Sequence, residues 1–424
     1  MHNSTGFSKN LNTCHNCDVL VAGGGIAGVC AAITAARQGA NVLLVENFAV
    51  LGGNATSGGV NSFCGETAGQ GEVFDEILSR LSSFDAIAPY KPYPESESRL
   101  FNSEILAFVL QEITLKANVK ILFHSKICGA GGEAGRQIDH CVFAGASGLE
   151  TIRAKQYIDT TGDGLLAHLA GFKTMKGRDS DQAQLPMSMM FFVRHANKET
   201  ALPSDFMPDG YLDRINSYEE LPMVSIWPNG EGSNAIKIKI HLGDSTDSNS
   251  RSEAEIRGRR KIIQVMDYFR RIEKKAWLLD HSASIIGIRE GRRVLGEYVL
   301  TLKDIVEGKA FDDAIARGVF YLDGHSPDDD KRTYILPQDK LSVAPYQIPC
   351  RTLIAKEANN LLVAGRCFSA EQLALSSARV MPTCAMMGQA AGLCAALAAE
   401  KNTCLKNLDL LEIRKTLERR GAIL

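Results

Sequence analysis

The sequence predicts an α/β fold in which a Rossmann-like domain is interrupted by an inserted α+β domain. Near the N-terminus a short apolar strand runs directly into a glycine-rich turn, followed by a helix of small residues and a second strand. The last quarter returns to this pattern, with an apolar strand at residues 360–364 and a small-residue helix after Pro382. The chain between them mixes strands with one long amphipathic helix. Alternating strands and helices are typical of a parallel sheet that is covered by helices.

The N-terminal turn has the Gly-x-Gly-x-x-Gly spacing of a dinucleotide-binding site. Gly23 permits the tight turn, Gly25 lets the backbone approach a pyrophosphate, and Gly28 allows close helix–strand packing. The helix N-terminus then faces the phosphate charge. The second strand ends at Glu46, where a carboxylate can accept hydrogen bonds from a ribose diol. Together these features predict an ADP-containing cofactor, because an ordinary glycine-rich turn does not explain the acid at position 46.

Length and composition limit the classes of protein. A chain of 424 residues exceeds what one hydrophobic core usually supports, so two packed domains are expected. A hydrophobic content of 45% and a charged content of 23% are ordinary for a soluble globular protein. The net charge of −2 gives no electrostatic attraction to nucleic acid or to an anionic membrane. The expected partners are therefore a small-molecule substrate and, in a homodimer, a second copy of the chain.

Three features favour a cytoplasmic location. Residues 1–17 lack the apolar core and cleavage site of a secretory signal. The eleven cysteines are odd in number and scattered, which suits a reducing compartment. Residues 380–399 carry no charge and are long enough to span a bilayer. Their richness in Ala, Gly, Met and Cys instead favours a helix that is buried inside the protein, against the cofactor.

The pattern along the chain divides it into three parts. Residues 1–17 are expected to form an N-terminal tail. Residues 18–170 and 350–424 are expected to form one discontinuous cofactor-binding domain, and residues 171–349 an inserted substrate or cap domain. No internal repeat is visible.

Four local patterns predict the secondary structure around these motifs. Helices are expected at 72–84 and 103–117, with Ser103 as the N-cap of the second. A capping box at Ser252 predicts the start of the long amphipathic helix. The glycine string at 129–135 is followed by a strand pattern and not by a helix, so a hairpin is expected there and not a second phosphate site.

Several separated motifs resemble a known family. The Gly23–Glu46 unit followed by Gly52-Gly53-Asn54-Ala55-Thr56 looks like the glutathione-reductase-type, two-dinucleotide-binding FAD fold. Within that type, residues 158–167, 287–300 and 361–392 resemble the FAD-dependent oxidoreductase family, which includes many uncharacterised bacterial enzymes. The resemblance spans nearly the whole chain and implies FAD as the cofactor.

The resemblance also implies which residues bind FAD. The expected set is Gly23, Gly25, Ile26, Ala27, Gly28, Glu46, Asn47, Gly52, Gly53, Asn54, Ala55, Thr56, Ile127, Thr161, Gly162, Asp163, Gly365, Arg366, Thr383, Gly388 and Gln389. In related flavoproteins an aspartate often stands where this chain has Arg366. The helix that begins near Thr383 is expected to point its N-terminus at the part of the flavin that gains negative charge on reduction.

Two other cofactor or metal sites are not expected. No second complete nucleotide fingerprint occurs, so we do not expect a domain that binds NADPH stably. Cys14 and Cys17 precede the first strand and lack the second pair that a structural zinc site needs. We therefore expect no metal.

Candidates for the chemistry lie mainly in the inserted segment. Arg289, Arg292 and Tyr298 form a group suited to a carboxylate or phosphate. An equally open alternative is a structural ion-pair network with the nearby Glu290 and Glu297.

A second group surrounds a histidine. Asp323 and His325 are a candidate acid/base pair, with a plain surface turn as the alternative. Arg351 and Arg379 lie beside the flavin-binding segments and are candidate contacts for a substrate anion. Cys64 ends the glycine-rich loop, and a buried inert thiol is favoured there over a redox thiol or a covalent flavin attachment.

These residues predict a flavin-dependent oxidoreductase that transfers a hydride between a small polar substrate, with an anion as one candidate, and flavin N5. Two alternatives stay open at this point. One is an electron-transfer subunit that passes electrons to a partner protein, and the other is a redox-neutral, flavin-dependent isomerase.

Overall fold

A computed structural model describes residue 11 and residues 13–90, 97–197, 202–203 and 205–424. Within these ranges the chain forms eighteen strands and nine α-helices. The strands are β1 (Thr13–Ala22), β2 (Val42–Val45), β3 (Ser62–Phe63), β4 (Ile87–Pro89), β5 (Arg99–Phe101), β6 (Lys120–Leu122), β7 (Lys126–Glu133), β8 (Gln137–Gly145), β9 (Gly148–Asp159), β10 (Thr174–Lys176), β11 (Met187–His195), β12 (Val224–Pro228), β13 (Ser233–His241), β14 (Trp277–Ser282), β15 (Arg292–Val294), β16 (Ala314–Gly318), β17 (Tyr346–Pro349) and β18 (Leu361–Val363). The helices are α1 (Ile26–Arg37), α2 (Glu72–Ser83), α3 (Ser103–Lys116), α4 (Leu165–Leu169), α5 (Ser248–Arg271), α6 (Leu302–Val306), α7 (Gln372–Ala378), α8 (Met381–Glu400) and α9 (Leu410–Arg419).

The main sheet is a mixed, seven-stranded sheet with a parallel centre. Its order is β6-β2-β1-β9-β8-β7, and β18 also pairs with β9. Strands β6, β2, β1, β9 and β18 pair in parallel, whereas β7, β8 and β9 form an antiparallel meander. Its central strands are buried along their apolar residues, Val19–Ala22 of β1 and all of β2, which is typical of a parallel sheet covered on both faces. The sheet confirms the predicted α/β class with a Rossmann-like parallel unit.

A second, antiparallel sheet has the order β12-β13-β11-β14. Its core is distinct from that of the main sheet and is built from residues between Met187 and Ile288, including the buried face of α5. Residues from Val294 onward, such as Ile315 and Tyr346, pack instead into the core of the main sheet. The division of residues 171–349 as one inserted domain therefore stays a prediction.

Helix α8 lies against α1 through a row of small residues. A Cβ added at Gly388 would lie 2.1 Å from the carbonyl oxygen of Ala27, and one added at Gly392 would lie 2.2 Å from that of Ala31. Helix α8 is long and apolar enough to cross a membrane, with a mean hydropathy of 1.2, but 89% of that window is buried inside the protein. Its small residues therefore serve close helix packing in the interior.

The local expectations hold in part. The 129–135 string is a hairpin, because β7 pairs with β8 in antiparallel register. The N-cap of α3 is Asn102 and not Ser103, since the Asn102 side chain accepts from the backbone N–H groups of Glu104 and Ile105. Helix α5 begins at Ser248, capped by Asp247, and not at Ser252. Its polar first turn carries no apolar spacing from which that start could be read.

The start of the chain also differs from the expected 1–17 tail. Strand β1 begins at Thr13 and therefore includes residues 13–17 as well as the apolar residues that follow. Most of the rest of the predicted tail lies outside the described residues.

The α1–α8 contact gives a stability test. We expect Gly392→Ala to lower the free energy of unfolding by about 1–3 kcal/mol, because its methyl group meets rigid backbone. The matched control is Gly258→Ala on α5, where the nearest atom is the end of the Met189 side chain, which can move. Denaturant unfolding of both variants measures the difference. Equal stability of the two variants would contradict a tight α1–α8 contact.

Candidate functional site

The glycines of the β1–α1 turn have three different surroundings. Gly23 has a φ of +104°, and a Cβ there would lie 2.6 Å from the carbonyl oxygen of Thr160. A Cβ at Gly28 would lie 1.9 Å from the carbonyl oxygen of Gly23. A Cβ at Gly25, by contrast, would meet nothing within 4 Å. Gly23 and Gly28 are thus required by the fold, whereas Gly25 keeps a space open at the N-terminus of α1.

Glu46 lies at the end of β2 beside this turn. Its buried carboxylate accepts hydrogen bonds from the backbone N–H groups of Gly24 at 2.5 Å and Phe48 at 2.8 Å. Burial raises the pKa of Glu46, and these N–H donors oppose the rise. The neighbouring Asn47 is exposed. The N–H of Ser125 donates to the Glu46 carbonyl at 2.9 Å, which brings the start of β7, with the buried Ile127, to the same place.

The glycine-rich loop after β2 adds a second backbone wall. Gly52 forms a parallel bridge with Gly25, and its N–H donates to the Gly24 carbonyl at 2.8 Å. Residues Gly53–Ala55 form a 3₁₀ turn. A Cβ at Gly53 would lie 3.3 Å from the Cα of Gly25, so the two turns lie side by side. The Thr56 hydroxyl closes the loop by donating to the Leu51 carbonyl at 2.7 Å.

The loop after β9 carries a shared carboxylate. Asp163 Oδ2 lies 2.6 Å from Arg251 Nη2, and Asp163 Oδ1 lies 3.2 Å from Arg366 Nη2. Arg366 also donates to the Ile288 carbonyl at 2.8 Å, the oxygen that accepts from Asn54 at 3.3 Å. The Arg366 guanidinium therefore binds protein groups and ties the cofactor-side loops to the second sheet.

The N-terminus of α8 lies close to α1. Val380 is the N-cap of α8 and Thr383 is buried in the first turn. In the described part of the chain no side chain caps the first turn of α1 or of α8. A Cβ at Gly365 would lie 3.0 Å from the Cβ of Ala27, which places β18's following turn between the two helices. Each of these two uncapped helix N-termini is a favourable environment for negative charge.

Beyond these turns, Asp323 is the centre of a buried polar cluster. His325 Nε2 lies 3.2 Å from Asp323 Oδ1, and Arg379 donates to Oδ2 at 3.0 Å. The Tyr321 hydroxyl donates to Oδ1 at 3.3 Å. The His325 ring stacks on Tyr334 with 4.8 Å between centroids. Burial raises the pKa of Asp323, but the hydrogen bond from His325 and the neighbouring cations outweigh it and hold that pKa well below its usual range.

His325 is held in one tautomer. Because the Asp323 carboxylate only accepts, Nε2 carries the proton and Nδ1 keeps its lone pair. The side chain is 1% exposed, and Nδ1 has no hydrogen-bond partner among the described residues. Burial lowers the pKa of His325 to about 4, against the opposing charge of Asp323. At neutral pH the cluster thus presents a neutral imidazole with an unused, buried acceptor.

Two further cations approach the cluster from the second sheet. Arg289 is buried and donates to the Pro186 carbonyl at 2.7 Å and to the Ser188 hydroxyl. Lys237, half-buried on β13, interacts electrostatically with Arg289 and Asp323. Burial and the charge of Arg289 lower the pKa of Lys237 to about 8. Burial and the charge of Arg379 lower the pKa of Arg289 to about 10.

Comparison with family models decides the class. The model described as FAD dependent oxidoreductase matches residues 18–417. The chain belongs to this family. It is an FAD-dependent oxidoreductase, and FAD is its cofactor.

Solved structures share the fold at low sequence identity. A geranylgeranyl bacteriochlorophyll reductase-like protein from Thermoplasma acidophilum is 13% identical, with a TM-score of 0.51 over 96% of this chain and 85% of that chain. BexE, described in work on oxidation during BE-7585A biosynthesis, is 14% identical, with a TM-score of 0.50 over 96% and 67%. At these identities the likeness shows the fold alone. The comparison with curated proteins returned no match.

The residues of the β1–α1 unit fit FAD. The space at Gly25 admits a pyrophosphate against the backbone, and the adjoining backbone of Gly53 can approach from the other side. The Glu46 oxygens each use one lone pair on the backbone and keep another for a ribose hydroxyl. In the oxidoreductase these groups would hold the ADP part, and the first turn of α8 would lie toward the flavin part.

Several predicted site residues have other roles in the oxidoreductase. The Gln389 amide accepts from the Val73 N–H at 3.0 Å and donates to the Gln70 carbonyl at 2.7 Å. The Gln389 side chain therefore caps the N-terminus of α2, where Gly71 has no side chain to do so. Gly388 faces the backbone of α1. The described contacts of Gly388 and Gln389 are thus with protein groups, and their role in FAD binding stays a prediction.

Three predicted catalytic residues have partners outside the cluster of Asp323 and His325. Arg292 lies on β15 beside His168 and Gly164. Tyr298 donates to Asp304 at 2.9 Å, and Arg351 pairs with Asp313 at 3.0 Å. Their catalytic role stays a prediction.

The sequence missed Lys237. It alternates with Ile236 and Ile238 on β13, a pattern typical of a strand with one solvated face. Only the folded chain shows that Lys237 lies within electrostatic reach of Asp323. Cys64 lies within electrostatic reach of Lys237, and burial raises the pKa of its thiol, which agrees with the favoured inert role. The described residues contain no group of three or more side chains suited to a metal ion.

The glycine surroundings predict separable effects of two substitutions. Gly25→Val should leave the unfolding midpoint of the apoprotein unchanged, since its side chain enters open space at an ordinary φ of −63°, yet it should weaken FAD binding. Gly28→Val should prevent stable folding because it collides with the Gly23 carbonyl. Circular dichroism and FAD titration measure the two effects. Unchanged FAD affinity in folded Gly25→Val would remove this turn from the cofactor site.

Proposed function

We propose that the protein oxidises a small, polar, anionic substrate by hydride transfer, with His325 as the base that takes the accompanying proton. The observation that carries the proposal is the buried, unpartnered Nδ1 of His325, which Asp323 holds in the required tautomer. When bound, FAD supplies the two-electron acceptor for the hydride. The substrate then loses one C–H bond with its electron pair and one O–H or N–H proton.

The protein groups divide the remaining work. Asp323 accepts from His325 Nε2 and stabilises the imidazolium that forms when Nδ1 takes the proton. Arg379 neutralises Asp323 and fixes its orientation through the 3.0 Å contact. Lys237 and Arg289 supply positive potential for an anionic substrate. Burial of the cluster excludes water and strengthens each of these interactions.

Other parts of the proposal concern the setting. The separate core of residues between Met187 and Ile288 supports a substrate-binding insertion within 171–349. The parallel sheet with its antiparallel meander supports the two-dinucleotide-binding, glutathione-reductase type of FAD domain. A cytoplasmic location and a homodimer complete the proposal, and they rest on the composition of the sequence.

Anaerobic reduction of the purified holoprotein tests the reaction. A panel of hydroxy acids, amino acids, amines and sugars is compared with NADH and NADPH by loss of flavin absorbance. Bleaching by a hydroxy acid or amino acid supports the proposal. Reduction only by a partner protein would instead identify an electron-transfer subunit, and interconversion of isomers without net bleaching would identify a redox-neutral enzyme.

Substitution of His325 should separate proton transfer from binding. We expect His325→Gln to slow flavin reduction by about 100- to 10,000-fold while substrate affinity changes little, because the general base is lost. His168→Gln is the matched control, since His168 lies on α4 and its charged neighbour is Arg292, which is not a member of the cluster. Stopped-flow reduction at saturating substrate gives both rates. A wild-type rate in His325→Gln would exclude the residue as the base.

The pH profile should report two groups. Lys237 is cationic below a pKa of about 8, and His325 is neutral above a pKa of about 4. We therefore expect kcat/KM to be level between these values, to fall below the lower one and to fall above the upper one. The groups that face Lys237 are Arg289, Asp323, Arg379 and the Cys64 thiol.

Lys237→Arg identifies the high-pH limb. Because a guanidinium stays protonated throughout this range, the fall above about pH 8 should move to higher pH in this variant. A limb that stays in place would assign it to another group.

A further inference from the structure

The charges around His325 do not balance. Three cations, Lys237, Arg289 and Arg379, face one carboxylate, Asp323. Arg379 and Asp323 neutralise each other at 3.0 Å. In the described part of the chain, neither Lys237 nor Arg289 lies within ion-pair distance of a carboxylate. Two positive charges therefore stay without a counter-ion at the edge of the cluster.

The register of the second sheet brings these two charges together. Arg289 is anchored on the Ser188 hydroxyl of β11. Ser188 pairs with Lys239 on β13, and Met190, two residues later, pairs with Lys237. Residues two apart on a strand share a face, so Lys237 is the diagonal neighbour of the position where Arg289 is held. One small molecule can reach both cations.

A lysine on the same face shows a different arrangement. Lys239 is 1% exposed, and its ammonium donates to the Lys331 carbonyl at 3.0 Å and lies 3.6 Å from Asp329. Lys239 thus has a carboxylate partner, which Lys237 and Arg289 lack in the described part of the chain. Holding two cations together without a counter-ion is costly, so this pair is expected to serve a ligand. The lowered pKa values of Lys237 and Arg289 agree with an uncompensated pair.

The apolar neighbours limit the size of that ligand. A Cβ at Gly59 would lie 3.1 Å from Met190 Cβ and 3.3 Å from Phe192 Cε2. The glycine-rich loop therefore packs directly on the sheet beside the Lys237 position, and it closes that side against a long ligand.

We propose, resting on the hydride-transfer function above, that the substrate is a compact dianion whose two negative charges are matched by Lys237 and Arg289. Two carboxylates or one phosphate monoester share this chemistry. The dianion completes the charge balance of the cluster. The same small molecule carries the O–H or N–H proton that His325 takes and the C–H bond that gives up the hydride.

The test uses anions that have no alcohol or amine to oxidise. Malonate and inorganic phosphate are compared with acetate and with neutral malonamide by perturbation of the flavin spectrum of the holoprotein at pH 7. We expect malonate to bind about 30-fold or more tightly than acetate, because the second buried cation is left unmatched by a monoanion. Phosphate that binds tightly while malonate does not assigns the dianion as a phosphate monoester, and the reverse assigns a dicarboxylate. If neither malonate nor phosphate binds more tightly than acetate, the proposal is overturned.

Two variants locate the binding. Lys237→Met and Arg289→Gln should each weaken the preferred dianion about 30-fold or more and reduce its advantage over acetate. Lys303→Met and Arg257→Gln are matched controls at exposed, unrelated positions and should bind like the wild type. Arg289 donates to the Pro186 carbonyl, so Arg289→Gln can fail to fold. Lys237→Met removes no such backbone contact, and its affinity for the dianion then decides the test.

A reduction potential separates the proposal from its main competitor. In the competing explanation, the two cations stabilise the negative charge of reduced flavin and do not bind the substrate. Lys237→Met would then lower the reduction potential of the flavin and leave the affinity for malonate unchanged. That result would overturn the proposal. Because malonate binding needs no turnover, this outcome is distinct from failure of the hydride-transfer function. That failure appears only as a flavin that no small molecule reduces.

Discussion

The contact between α1 and α8 determines where the two ends of the cofactor site lie. Ala27 meets Gly388 and Ala31 meets Gly392, so both helices run in the same direction along the contact. The pairing places the first turn of α1 beside a residue that lies seven positions after the start of α8. At a rise of 1.5 Å per residue, the N-terminus of α8 therefore extends about 10 Å beyond the first turn of α1. The chain thus carries two helix N-termini at a fixed separation. A larger side chain at either glycine would change that separation and not only the packing.

The polar cluster around His325, which we propose as the catalytic site, depends on the same contact. Arg379 lies in the short turn between α7 and α8, so its position follows that of the α8 N-terminus. Asp323 and His325 come from a different loop, and Lys237 and Arg289 come from the second sheet and its edge. Four separate segments therefore contribute the five polar groups of the cluster, two of them from the loop that carries Asp323 and His325. Its geometry requires both hydrophobic cores to be formed.

The features that could be predicted from the sequence are those set by residues close together in the chain. The fingerprint from Gly23 to Glu46 predicts its own structure because each glycine is required by a contact within about 30 residues or by the cofactor itself. Asp323 and His325 are two residues apart, and the proximity of their side chains was also predictable. Gln389 was not, since its partners Gln70 and Val73 lie more than 300 residues away in the chain. Lys237 was missed for the same reason, because Asp323, which lies within its electrostatic reach, is also distant in the chain.

The carboxylate shared by Arg251 and Arg366 has a consequence for cooperativity. Arg251 lies on α5, which covers the second core, whereas Arg366 follows β18 of the first. The buried Glu290 makes a second tie, accepting from the Leu185 N–H at 2.8 Å and from Gln372 on α7 at 2.7 Å. Loss of either core would leave these charged groups without their partners. The two cores are therefore coupled, and the chain is expected to unfold in one transition although it contains two sheets.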